Sequence, residues 1–327
     1  MRYFVRKVGM FFVTIWAAVT LNFVVPRLMP GSPVQATLMR LAASGQVVTN
    51  ATKRAIEIQL GLPHTSLLIQ YGDYLLNIFR FRFGMTYSIT DESVSRAIMA
   101  AAPWTLVLVG TTTVLAFLVG TMLGVYAGWK RQSRVDSIVT VGSTVFSAFP
   151  PFFLGLLLLY FMGFKYHWLP LTGGYTPGLT PSLSLSFLGN AFIHSILPAI
   201  TLIITSLAGW VLGMRNNMIN TLGEDYVLFG EANGLRDKTI AFLYVARNAL
   251  LPNVTSFGLA LGSVIGGSVL VESIFGYPGV GSLLLTAVNN RDYPLMQTIF
   301  LMITVSMLVT IFVADLLYGL LDPRVRQ

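Results

Sequence analysis

Between Arg96 and Lys130 the chain carries no charged side chain, and between Asp136 and Lys165 it again carries none. A helical membrane crossing needs about 20 mostly apolar residues, and both runs, 97–129 and 137–164, exceed that. Composition agrees. Of 327 residues only 10% are charged and 54% are hydrophobic, whereas ordinary soluble proteins are roughly 25% charged. Mean hydropathy is +0.72. Length alone would admit two soluble domains of about 150 residues each, but too few charges are available to cover their surfaces. An all-α integral membrane protein is expected.

Six spans are predicted, at 8–29, 97–129, 137–164, 191–214, 248–271 and 293–320. The first follows Arg2, Arg6 and Lys7, as a signal peptide would. Its apolar stretch is too long for one and Pro26-Arg27 is a poor cleavage site, so an uncleaved helix is expected. An even number of spans puts both termini on one side. Arg2, Arg6, Lys7, Lys130, Arg131, Arg134, Arg215, Arg236, Lys238, Arg247, Arg324 and Arg326 all fall on that side, against Lys165 and Arg291 in the short opposite loops; the long segment 30–96 breaks the pattern with Arg40, Lys53, Arg54, Arg80, Arg82 and Arg96, but long translocated segments weigh little in this bias. By the positive-inside bias that side is cytoplasmic, and the net charge of +8 serves topology. No basic run is interleaved with stacking aromatics, which excludes nucleic acid as a partner.

The chain divides into a tail with the first span (1–29), an external insert (30–96) and a five-helix core (97–327) with a cytoplasmic loop at 215–247. In the insert, Thr49-Asn50 can cap a helix carrying Ile56, Ile58 and Leu60, stopped by Gly61 and Pro63. A second amphipathic stretch covers 67–79. Asp91, Glu92 and Ser93 read as the start of an interfacial helix leading to Pro103. Gly120, Gly124 and Gly128 share one helix face, as do Gly258, Gly262 and Gly266. In lipid, small residues let helices approach closely, so packing outweighs a substrate path as their role. Pro150-Pro151 should bend or break the third span.

Catalytic machinery is not visible. There are no cysteines, and His64, His167 and His194 are far apart and suit loops rather than a metal site. The G-x-x-x-x-G-K-[ST] phosphate loop is missing, and no nucleophile–base pair marks an intramembrane hydrolase. Only Asp315 lies inside a predicted span, near its cytoplasmic end, where pairing with Arg324 is the plainer reading. An ion-coupled carrier would need more polar groups at mid-depth.

The loop at 215–247 holds the clearest functional signal. Glu224 and Asp225 suit a helix N-terminus, the helix runs on through Tyr226, Phe229 and Glu231, and Asn233-Gly234 stops it. Gly234 is the expected left-handed cap residue, with Leu235 packing back on Phe229 or Gly230. A second helix starts near Asp237 and leads through Ala249 to Leu251-Pro252. Such an element has little core of its own and suits a groove on a partner.

Glu231-Ala232-x-Gly234, followed by Leu251-Pro252, resembles the E-A-A loop of ABC importer permeases, with Asn233 departing from the family pattern. Further segments narrow the resemblance to the B-type subunit of the dipeptide/oligopeptide permease family. They are Glu57-Ile58-Gln59-Leu60-Gly61-Leu62, Gln70-Tyr71, Phe83-Gly84, the run from Glu272 through Phe275, Gly276, Tyr277, Pro278 and Gly279 to Gly281, Arg291-Asp292-Tyr293-Pro294 with Gln297, and the ending from Asp315 to Arg324. The resemblance implies the type I ABC importer permease fold with six transmembrane helices in a prokaryotic inner membrane. It also implies a second related permease chain, two cytoplasmic ATPases holding ATP and Mg, and an extracytoplasmic solute-binding protein. No cofactor and no catalysis are expected on this chain. Glu224, Asp225, Tyr226, Glu231, Ala232, Asn233, Gly234 and Leu235 are the expected ATPase-coupling residues. Glu272, Phe275, Gly276, Tyr277, Pro278, Gly279, Arg291 and Asp292 are the expected external gate loop, for which plain loop packing is an equal alternative. Dipeptides or oligopeptides are the expected cargo, with oligosaccharides next and nickel or another solute after them. A self-contained channel or ion-driven carrier is the remaining alternative class.

Overall fold

The computed structural model describes residues 2–43, 45–46, 49–59, 66–89 and 92–321. Its helices are α1 (Arg2–Leu28), α2 (Pro33–Ala43), α3 (Asn50–Gln59), α4 (Leu67–Phe79), α5 (Val94–Trp129), α6 (Arg134–Ser147), α7 (Pro151–Leu158), α8 (Leu185–Leu222), α9 (Asp225–Ala232), α10 (Asp237–Thr239), α11 (Arg247–Ser263), α12 (Val269–Ile274), α13 (Val280–Asn290) and α14 (Tyr293–Leu321). π-helical turns continue α7 over Leu159–Lys165 and join α10 to α11 over Ile240–Ala246. Among the described residues, five helices are long and apolar enough to cross a membrane, and up to six if one bent pair counts as a single span. That matches the six predicted spans.

The bent pair is α6 with α7, which meet at 95°. Pro150 and Pro151 are the cause: Pro151 starts α7 at the position where its missing N–H costs nothing. Between α1 and α5 the chain forms three helices, α2, α3 and α4. Thr49 begins α3, its Oγ1 accepting the Thr52 N–H at 3.2 Å. α4 leans on α1, with Tyr71 and Thr20 hydroxyls 2.7 Å apart and the Tyr71 and Tyr74 rings against Phe23. Leu60, Gly61, Leu62, Pro63, His64, Asp91, Arg324, Arg326 and the Asp315 side chain lie outside the described residues.

Three expectations need correction. There is no separate interfacial helix ending at Pro103. Ser93 caps one continuous helix, α5, by accepting the Arg96 N–H at 3.4 Å, and Pro103 lies inside it. Val94, Ala97, Ile98 and Ala101 are buried, with Val94, Ile98 and Ala101 in one core with residues of α13 and α14. The helix therefore gains packing from its first turn, and the 96/97 boundary falls within it. The fifth span does not run unbroken to Val271. Its helix is interrupted by a short 3₁₀ turn, Val264–Gly266, where Gly267 adopts φ +64° before α12, while Asp237–Ile274 as a whole remains one apolar crossing. Finally, the loop at 215–247 is shorter than expected, since α8 continues to Leu222 and takes in Arg215.

The core of the bundle is the seam between α5 and α8. A methyl group added to Gly120 would lie 2.6 Å from the Trp210 Cβ, one on Gly124 2.6 Å from the Val211 carbonyl oxygen, and one on Gly128 2.5 Å from the Met218 Cβ. These three glycines set the interhelical distance. The glycines of α11 and the 3₁₀ turn after it behave unequally. Gly262 abuts Thr310 of α14 and Gly266 faces Ile303 at van der Waals distance, but Gly258 has nothing within 4 Å.

A second brace was not visible in the sequence, where Arg215 reads as a topology charge and Asp136 only as the residue before the third span. Arg215 grips Asp136 with two bonds, Nε to Oδ1 at 2.5 Å and Nη2 to Oδ2 at 2.9 Å. Asp136 also accepts from the Gln132 N–H and Thr140 hydroxyl and is buried. The pair ties the start of α6 to α8. Removing Asp136 leaves the half-buried Arg215 guanidinium without its partner, at a cost below the roughly 3–5 kcal/mol of breaking a fully buried pair. We expect Asp136→Leu alone to lower the thermal midpoint strongly, and the double variant Asp136→Leu with Arg215→Leu to recover part of the loss. Equal midpoints for the single variant and the native protein would show the pair to be idle.

Candidate coupling and gate sites

The coupling element is built by a local rule. α9 ends in a six-residue capping turn in which the Leu235 N–H donates to the Gly230 carbonyl at 3.2 Å and the Gly234 N–H to the Glu231 carbonyl at 2.9 Å. Gly234 takes φ +72°, the left-handed conformation that glycine adopts without a Cβ penalty. Leu235 packs on Gly230 as expected. Glu224 occupies the cap position but its side chain caps nothing, and Asp225 lies in the first turn.

One face of α9 is buried and the other is open. Val227 is fully buried in a cluster with Met214 and Met218 of α8 and with Ile240, Val245, Ala246 and Ala249 leading into α11. Tyr226 accepts from the Asn248 side-chain amide at 3.2 Å. So α9 is fixed to two long helices at once. Glu231, Ala232, Asn233 and Gly234 are exposed, as are Tyr226, Leu228 and Phe229. Phe229 is 71% exposed, too much for a free polar surface. Glu231 therefore stands beside bare apolar side chains, on a helix whose base is fixed.

The expected gate residues form a second assembly. Gly276 turns the chain at φ +56°, and the Phe275 carbonyl accepts the Gly173 N–H at 2.8 Å. Phe275 and Tyr277 are buried with Leu108, Leu197, Leu202 and Val271. Tyr277 meets Trp104 edge-on, its hydroxyl lies 3.2 Å from the Ser195 hydroxyl, and Pro278 presses on Gly174. His194, anticipated as a loop or interface residue, faces the same loop, 3.2 Å from the Gly173 carbonyl.

Glu272 organises this assembly. It is fully buried. Its carboxylate accepts from the Thr105 hydroxyl at 3.0 Å and from the Gly281 and Ser282 N–H groups at 2.7 and 3.3 Å. These two N–H groups belong to the first turn of α13, where backbone donors lack helical partners and the dipole favours an anion. A Cβ on Gly267, Gly279 or Gly281 would strike the carboxylate. Thr105, which sequence reasoning passed over, also accepts the Val280 N–H at 2.8 Å and so joins α5 to α13. Its only signal was a hydroxyl two residues after Pro103 in an apolar run.

Arg291 and Asp292 lie apart from Glu272 and hold a different joint. Arg291 has φ +58°, closes α13, and donates to the Pro30 carbonyl at 3.1 Å. Asp292 is fully buried. It accepts from the Tyr87 and Ser88 N–H groups at 2.7 and 2.8 Å, from the Thr86 hydroxyl, and from the Leu295 N–H at 3.1 Å. One carboxylate thus caps α14 and clips the segment ahead of α5 onto it. Burial, and then the negative charge of Asp292, push the Tyr87 phenol up to about 12, so it stays neutral.

Both assemblies touch α8. Ser195 meets Tyr277 at one end and Met218 meets Val227 near the other. Twenty-three residues at 1.5 Å rise put these contacts about 35 Å apart, slightly more than a hydrocarbon core. A rotation of α8 would therefore be felt at both.

Residues 120–327 match the family model described as "binding-protein-dependent transport system inner membrane component". The oligopeptide transport system permease protein AppB of Bacillus subtilis is 33% identical over 99% of this chain and 98% of that protein. The di/tripeptide transport system permease protein DppB of Pseudomonas aeruginosa is 33% identical over 98% of each. The nickel import system permease protein NikB of Staphylococcus aureus is 29% identical over 96% of this chain and 88% of its own length. A near full-length match of this kind, on a helical membrane chain with a glycine-capped loop helix, leads to one conclusion: this chain belongs to the binding-protein-dependent ABC importer permeases, in their dipeptide/oligopeptide B-type branch.

Proposed function

We propose that this chain is one permease half of an ABC importer that moves dipeptides or oligopeptides into the cytoplasm by alternating access. The observation that carries the mechanism is the two-sided α9. Its buried face is packed onto α8 and the start of α11, and its exposed face offers Glu231, Leu228 and Phe229 to a partner. A cytoplasmic ATPase with an apolar groove and a nearby cation fits that face. Closure of two ATPases on ATP would displace α9, and α8 would carry the displacement to the Phe275–Tyr277 contact. Glu272 and Asp292 keep the gate segments rigid, so the movement is passed on rather than absorbed. A second related permease chain would complete the path, and an extracytoplasmic binding protein would deliver the cargo. The insert would then face outward and both termini inward, in line with the distribution of basic residues.

Peptides are the cargo we favour, since relatives named for oligopeptides and di/tripeptides match at 33%, while the nickel-named one at 29% stands level with dipeptide-named relatives at 27% and 28%. The near-absence of charge in the spans suits solutes of variable side chain. Ligand screening of the co-purifying binding protein decides between peptide, oligosaccharide and nickel.

Glu231→Arg and Gly234→Pro test the coupling role. Both sit on exposed positions, so insertion should be preserved. Reversing the charge of a docking residue, or removing the left-handed turn, should cut peptide uptake and substrate-stimulated ATP hydrolysis about tenfold or more. Wild-type uptake and hydrolysis in both variants would remove α9 from the coupling path.

A further inference from the structure

α4 has three faces where a helix on the surface of a water-soluble protein has two, an apolar one on the core and a polar one in water. Successive residues are turned by about 100°. On that spacing Asp73 and Asn77 form a polar sector, Gln70, Tyr74 and Tyr71 follow it in that order, and Leu68, Phe79 and Leu76 form an apolar sector beyond Tyr71. The middle sector packs on α1. The apolar sector is bare: Leu68 is 83% exposed, Phe79 80% and Leu76 52%.

The contacts with α1 show which way each face is turned. The Gln70 side-chain carbonyl accepts from Arg27 at 3.4 Å. The Tyr74 and Tyr71 rings meet Phe23 with centroids 5.5 and 5.2 Å apart, and the Tyr71 hydroxyl reaches Thr20 at 2.7 Å. Passing round α4 from its polar to its bare apolar sector, the partners therefore run from Arg27 through Phe23 to Thr20. On α1 that order leads inward from the end of an apolar span that closes at Leu28. Phe23 and Thr20 lie five and eight residues before that end, about 7.5 and 12 Å inside it. The polar sector of α4 thus points out of the membrane, and the bare apolar sector points into it. Beneath α4 the chain leaves room, since Trp16, one turn deeper than Thr20 on the same stripe, is 61% exposed.

We propose that α4 is a membrane-embedded amphipathic helix, its Leu68, Phe79 and Leu76 face seated among the acyl chains of the leaflet in which α1 ends. Helices of this kind bury their apolar face about 5–10 Å into the boundary between headgroups and chains, which is the depth of the Phe23 contact. The case for lipid over a protein partner is direction and continuity. The bare face is turned toward the depth of the span, and it runs on into the flank of α1 where Leu21, Val24 and Leu28 are also bare. A protein arriving from water would meet Asp73 and Asn77 instead. Tyr71 and Tyr74 suit the same place, because aromatic side chains with a polar tip favour the membrane boundary. The segment between α1 and α5 is then held to the bilayer as well as to the bundle. This inference is independent of the cargo and of what docks on α9.

The chain has no cysteine, so single cysteines can carry nitroxide labels at Leu68, Phe79, Asp73 or Asn77 in the complete transporter complex, its partner chains freed of cysteine, in phosphatidylglycerol and phosphatidylethanolamine vesicles. Relaxation by oxygen, which concentrates in hydrocarbon, should exceed relaxation by a water-soluble nickel chelate about tenfold at Leu68→Cys and Phe79→Cys, and the order should reverse at Asp73→Cys and Asn77→Cys. Phe79→Trp keeps the face apolar and gives an independent reading: its added fluorescence should be quenched by lipids brominated near the glycerol end of the chain more than by lipids brominated near the methyl end. Free access of the chelate to Leu68 and Phe79 would overturn the proposal by placing the face in water. Access of neither reagent would overturn it by placing a protein chain there, and so would fluorescence of Phe79→Trp that neither lipid quenches.

Discussion

Gly124→Ala should break the transporter, whereas Gly258→Ala, the same change in another helix, should leave it intact. At Gly124 the new methyl meets the Val211 carbonyl oxygen at 2.6 Å and the Met214 Cβ at 2.7 Å. Neither is the free end of a flexible side chain, so α5 and α8 must separate. In lipid no hydrophobic force pulls them back, because the tails are as apolar as the seam, and close packing is what holds helices together. Overpacking typically costs about 1–3 kcal/mol. Here it falls on the central seam, which also holds Val211, Met214 and Met218 completely buried. Gly258 has open space around it, and replacing a helical glycine by alanine is worth about 0.5–1 kcal/mol in favour of the helix. Thermal midpoints of the purified complex and its yield in membranes report both. If the two variants melt together, the seam does not depend on Gly124.

Glu272→Ala should give the second large effect, and of a different kind. The substitution leaves the Gly281 and Ser282 N–H groups and the Thr105 hydroxyl without their acceptor in a fully buried site. Each orphaned donor costs about 1–3 kcal/mol. The first turn of α13 should loosen, and with it the Tyr277 contact to Ser195. Beyond a lower melting midpoint, we expect ATP hydrolysis in the complex to lose its dependence on the loaded binding protein. Glu272→Gln tests the charge separately. The amide oxygen can hold the Oε2 place and keep both α13 N–H groups, but its NH2 then faces the Thr105 hydroxyl, which donates to Oε1 in the native protein, so partial recovery is expected. A Glu272→Ala protein that melts and couples like the native one would mean that the carboxylate is not the anchor of the gate segment.

Much of the coupling element was legible because its rules are local. Asn233-Gly234 after an acidic helix start specifies a stop and a left-handed residue within ten positions, and Leu235 packs back where the capping motif requires. The Pro150-Pro151 bend is local too. The gate was legible only as a cluster of glycines, prolines and aromatics. That Glu272 is its centre was not, since a carboxylate at the end of an apolar run reads equally as a solvated end. Its partners come from Thr105, 167 residues away, and from a helix start beyond the next turn. The interfacial helix expected before Pro103 failed because proline was weighted as a boundary, whereas buried Val94, Ile98 and Ala101 make it worthwhile for α5 to begin earlier.

The sequence by itself determined the solvent of this protein, its spans, the side that carries the basic residues and the turn that shapes α9. Each follows from composition or from neighbours within one or two helical turns. Only the tertiary structure decided which glycines are contacts, that Asp136 and Arg215, 79 positions apart, form one brace, and that one helix, α8, touches both α9 and the Phe275–Tyr277 segment. Those outcomes depend on which helix faces which. In a chain whose spans are nearly all apolar, helix pairing is decided by shape and by a few buried polar groups, not by hydropathy.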